Sequence, residues 1–118
     1  MTDYKLPQDP QLAVRHVMKI VERLTQIMED EGKALAVGDS MAFAAVQAEK
    51  DQKSKEYQQA SAAFKVRAQD FLDVDRPTLD RLDASQRALA AKAEENGRVI
   101  KTLRERLGDK IQVDESQT

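Results

Sequence analysis

The side chains that could do chemistry in this 118-residue chain are few in kind. Its single histidine, His16, has no second histidine with which to share a metal, and there is no cysteine. A histidine-ligated metal, a histidine-activated thiolate and a disulfide therefore lack their parts. Carboxylates are plentiful and cluster at Glu29-Asp30-Glu31, at Asp73 and Asp75, and at Glu94-Glu95. Di-iron bundles need two Glu-x-x-His repeats and phosphate loops need several glycines in a row. Neither pattern is present. The clusters fall at helix ends or on charged faces, so a solvated surface is their expected role, and His16, one residue from an apolar seam, is expected there too. The reading is of a protein that is not an enzyme, with no cofactor and no metal.

The elements that carry these residues are legible from punctuation. Asp9-Pro10 offers a capping carboxylate followed by a proline at the first helical position, and Gly38 closes the run, predicting a first helix over about 10–36. Gly38-Asp39-Ser40 supplies a turn and a new cap, and a second helix is expected over 41–73. Asp75-Arg76-Pro77 repeats the start signal for a third over 77–108, ended by Gly108, with residues 1–8 and 109–118 frayed. Val14, Val17, Val21, Leu24 and Met28 step by three and four, with Ile20 and Ile27 widening the stripe and Leu35 continuing it after Glu31. Phe43, Lys50, Tyr57, Phe64 and Phe71 fall seven apart. Leu79, Leu82, Gln86, Leu89, Ala93, Asn96, Ile100, Leu103 and Leu107 make the most regular seam, which Ile111 and Val113 could extend. The predicted fold is all-α: one domain, an elongated antiparallel three-helix bundle, up-down-up, with coiled-coil-like packing.

Folding the chain at its two turns pairs Met28 with Lys50, Val21 with Tyr57, Tyr57 with Ala93 and Phe43 with Leu107. It also sets Asn96 beside Ser54 and near Lys50. A lone polar residue on a seam fixes register at some cost in stability, and Gly97 beside it is a point where the helix can bend. After Asn96 come Val99, Ile100, Leu103 and Leu107, facing segments of helices 1 and 2 that are unusually polar. Two readings are open for Ile100, Leu103 and Leu107: core against Leu35, Phe43 and Val46, or a loosely held amphipathic segment that packs on a partner's helix.

Charge and hydropathy narrow the partners. Nineteen basic and 21 acidic residues are interspersed, for a net charge of −2, so the basic footprint of a nucleic-acid binder is missing. The N-terminus shows no signal-peptide pattern and no apolar run reaches membrane-spanning length, so no membrane insertion is expected. With no cysteine, a reducing cytoplasmic setting is the default expectation.

The stretch ALAVGDSMAFAAVQAEKDQKSKEY, Ala34 to Tyr57, resembles the middle of FlgN-type flagellar export chaperones, where a first helix ends in a Gly-Asp turn and a second carries a Glu-Lys pair, here Glu49-Lys50. Asn96-Gly97-Arg98-Val99-Ile100 is similar to the family's Asn-Gly followed shortly by two aliphatics. The likeness spans roughly Val14 to Leu107. It implies a cytoplasmic, ATP-independent chaperone of flagellar type III secretion. Its partners would be hook-associated (hook-filament junction) proteins and the flagellar export apparatus. Val99, Ile100, Leu103 and Leu107 would be the client-binding residues, and Asn96-Gly97 the hinge and register point. No aromatic residue follows Phe71, so any anchor there is aliphatic. The alternative is a structural or adaptor bundle that buries its surplus stripe on a second copy as a homodimer.

Overall fold

The computed structural model describes residues 4–116. Three long helices, α1 (Pro10–Val37), α2 (Ser40–Val66) and α3 (Arg76–Ser116), pack together, and a short 3-10 segment, Ala68–Asp73, precedes α3. No strand occurs among the described residues. The molecule is drawn out, with principal extents of 66 × 31 × 21 Å.

Each helix starts where a carboxylate can take orphan amide protons. Asp9 accepts from Leu12 N (3.1 Å) and Asp39 from Ala42 N (3.0 Å). Asp75 accepts from both the amide and the hydroxyl of Thr78. The Thr78 hydroxyl bonds, opposed by desolvation, hold the Asp75 carboxyl below the usual aspartate range. Gly38 ends α1 in the left-handed region (φ 70°), so that Asp39 N can close on Ala34 O at 3.0 Å. It is the only described residue with positive φ.

Helix α2 stops at Val66, short of the expected residue 73. Phe64 and Phe71 explain the break. Seven residues along a continuous helix would separate them by about 10.5 Å, whereas the 3-10 segment folds Phe71 back until the two rings stack at 3.9 Å. Phe71 is thereby buried, and the line of large residues predicted every seventh position ends at Phe64. Arg67 fastens the corner. Its guanidinium donates to Pro7 O (2.6 Å) and Gln8 O (2.7 Å), pairs with Asp70 and lies over the Phe71 ring.

That clamp overturns the expectation of a frayed start over the described residues 4–8. Leu6 is buried, and the Tyr4 hydroxyl bonds His16 Nε2. His16 is accordingly half-buried under a tyrosine and not a free surface residue. At the other end α3 continues to Ser116, past the expected stop at 108. Residues 1–3 and 117–118 lie outside the described residues, as do the side chains of Ile111 and Val113.

Helix α1 is the centre. Val14, Val17, Val21, Leu24, Met28 and Glu31 form one buried line, and Ala13, Ile20, Ile27 and Ala34 form a second. Two lines are needed because α2 and α3 each pack on α1 and hardly touch one another. The predicted direct seam between α2 and α3 is therefore replaced by two seams on α1. Tyr57 meets Gln86 of α3 through a 3.1 Å hydrogen bond, seven residues before the expected Ala93.

Candidate partner-binding face

Where α1 nears its end, the apolar line is interrupted by Glu31, whose side chain is fully buried. A charge there needs partners. Three donors reach it: Lys50 Nζ at 2.9 Å and Gln47 Nε2 at 2.5 Å, both to Oε2 from α2, and Asn96 Nδ2 at 3.0 Å to Oε1 from α3. Asn96 Nδ2 also reaches Met28 O at 2.7 Å. Burial alone would raise the Glu31 carboxyl. The bonds from Gln47, Lys50 and Asn96, with the charge of Lys50, outweigh that and hold it below the usual glutamate range. The cluster is thus a polar clasp joining all three helices.

Gly32 makes room for it. A Cβ at that position would stand 3.1 Å from Asn96 Oδ1, a tight approach in which the asparagine would have to give way. Gly97 has no such duty: a Cβ there would meet nothing within 4 Å, and α3 runs through Asn96-Gly97 without a break. The predicted neighbours of Asn96 are Ser54 and, less closely, Lys50; its hydrogen bonds go to α1, where it shares Glu31 with Lys50.

Beyond Asn96 helix α3 loses its cover. Leu82, Leu89 and Asn96 are buried, Ile100 is half-buried, and Val99, Leu103 and Leu107 are 42%, 38% and 60% exposed. The core reading of Leu103 and Leu107 against Phe43 and Val46 therefore does not hold. For Leu107 the cause is an offset in length, whereas Val99 and Leu103 still run alongside the last turns of α1, Val99 lining a groove there with Gly32 and Ala36. Thr78 pairs with Gln11, and Asn96 with Met28 and Glu31, at separations of 65 to 68 residues. Helix α1 ends at Val37, so its last turn lies alongside about residue 104 of α3, and the remaining residues overhang by about 18 Å. A shallow groove beside this edge is lined by Arg98, Val99, Thr102, Leu103 and Arg106.

The four residues expected to contact a client thus share one end of α3, three exposed and one half-buried, just past a register point that is buried. In sequence Glu31 stands beside exposed Glu29, and that company disguises the clasp as a charged surface cluster. Its signal was nonetheless present: Glu31 lies on the line from Met28 to Leu35, and Lys50 on the line from Phe43 to Tyr57. Among the described residues no cluster of histidine and carboxylate side chains could hold a metal, and no helix is long and apolar enough to cross a membrane. Comparison with protein-family models, with curated proteins and with solved structures returns no match.

Proposed function

We propose that this protein is a non-catalytic helix-capturing chaperone, which lends the uncovered end of α3 to an amphipathic helix of a client. In this reading the bundle is an up-down-up scaffold with coiled-coil-like seams, and Val99, Ile100, Leu103 and Leu107 receive the client. One observation carries it: aliphatic residues of α3 are exposed from Val99 onward, first alongside the last turns of α1 and then, at Leu107, past its end. An exposed row at helical spacing on a rigid, capped scaffold is the pattern that helix-in-groove recognition uses. Nothing in such a surface requires nucleotide or metal, since binding and release are changes of packing alone.

The FlgN-type resemblance of Ala34 to Tyr57 and of Asn96 to Ile100 gives the client a class. It points to the terminal helical segments of hook-filament junction proteins, held in the cytoplasm before delivery to the flagellar type III export apparatus. Calorimetric titration with such a segment tests the reading. Saturable binding by the native protein that disappears in Leu103→Asp/Leu107→Asp, with helical circular dichroism unchanged, is the expected result. Absence of binding by the folded native protein rejects this client class. The same exposed leucines would also support a homodimeric adaptor, for which light scattering would show a mass that doubles with concentration.

A further inference from the structure

The chemistry flanking the uncovered stripe selects among partners. From Arg98 to Leu107 the chain carries Arg98, Lys101, Arg104 and Arg106 against the single acid Glu105, in a protein whose net charge is −2. All five are exposed. Arg98 and Arg106 also line the same shallow groove as Val99 and Leu103, so positive charge borders the apolar contact surface directly. Arg98 has a loose partner in Glu94, at 3.8 Å with both side chains largely in water, and such a pair is worth little. Resting on the helix-capture reading, we infer that this end of α3 selects an amphipathic helix whose apolar face is flanked by acidic residues. A symmetric pairing with a second copy would set the basic segment against itself, which like-charge repulsion disfavours. A partner bearing Glu and Asp at the edges of its stripe removes that repulsion and gains steering at low ionic strength. Because the arginines sit at the rim, their effect falls on discrimination and association rate, while the aliphatic residues carry the hold.

Two synthetic amphipathic peptides with the same leucine face, one flanked by glutamates and one by lysines, test this by fluorescence anisotropy with the full-length protein. The glutamate peptide is expected to bind roughly tenfold more tightly at low salt, with the difference shrinking as salt screens the rim. Arg98→Glu/Arg106→Glu should invert the preference while circular dichroism stays helical, and Leu103→Asp/Leu107→Asp should abolish binding of both peptides. Equal affinities, or a preference for the lysine peptide, would overturn the charge inference and leave helix capture standing. Binding of neither peptide overturns it as well, and titration with the junction-protein segment then decides separately whether helix capture survives. Vesicles containing phosphatidylserine form the last arm: capture by these vesicles without capture of the glutamate peptide would assign the basic rim to an anionic lipid surface and sink the inference.

Discussion

The two ends of the bundle hold three helices together by opposite means. Near the chain's start, Val14, Val17, Val21 and Leu24 of α1 are buried in a cluster with Ala60, Phe71, Leu82 and Leu89, and Phe64 packs against its edge. Near the Gly38 turn, Glu31 sits at a position where the seam pattern calls for an aliphatic residue and collects donors from both neighbours. An apolar core is tolerant of small slips, because hydrophobic contact has no direction. A carboxylate with three fixed donors is not, since a shift of α2 or α3 by one turn would strand a buried charge. The first end supplies stability and the second supplies alignment. Its donors fix where α3 stands along α1, just before the row Val99, Leu103 and Leu107 meets water.

Breaking each end separately should show the difference. Phe71→Ala removes a buried ring that stacks on Phe64, and is expected to cost about 3–5 kcal/mol in urea unfolding, a large share of the roughly 5–15 kcal/mol available to a small domain. Lys50→Met leaves Glu31 without its countercharge and should cost roughly 3 kcal/mol. Glu31→Leu with Lys50→Met removes both charges together and should restore most of that loss. A double variant as unstable as Lys50→Met alone would show that packing, and not an unpaired charge, sets the cost.

Acid separates the ends more gently. Because the Glu31 carboxyl is held below its ordinary value of 4.5, the clasp contributes fully above that pH. Its contribution fades as pH falls through the depressed folded value. Stability measured from pH 6 downward should therefore drop below about pH 4.5 in the native chain, with a shallower slope in Glu31→Gln. Gly97→Ala should then raise stability by about 0.5–1 kcal/mol, because the position is helical and unobstructed. A loss on that substitution would restore a conformational role for Gly97. The smallest change is expected for Leu107→Asp, within about 0.5 kcal/mol of native, since its side chain is already 60% exposed.

Much of this architecture could be read from residues alone, because helix punctuation is local. Asp9-Pro10, Gly38-Asp39 and Asp75-Arg76-Pro77 each act within one turn, and the observed starts of α1, α2 and α3 fall within a residue of those signals. Phe71 was misplaced because its stacking on Phe64 is a tertiary gain that the seven-residue spacing hides. The α2–α3 register failed for a related reason: the second buried line of α1, marked by Ile20 and Ile27, already required two neighbours on α1 and left α2 and α3 little surface for each other. Glu31 was hidden by company. A carboxylate flanked by Glu29 and Asp30 looks solvated until its angular position between Met28 and Leu35 is given more weight than its neighbours in sequence.

Gly32 has a consequence for how this chain can vary. It stands against Asn96 at a distance where even a methyl group is crowded, so the two positions form one unit although they are far apart along the chain. A side chain at 32 calls for a shorter residue at 96, and a shorter residue at 96 withdraws a donor from Glu31. Drift at any one of these sites therefore sets conditions on the others. Sequences descended from this one should be expected to exchange residues 31, 32, 50 and 96 as a set, while the exposed face of α3 beyond them remains free to change one residue at a time.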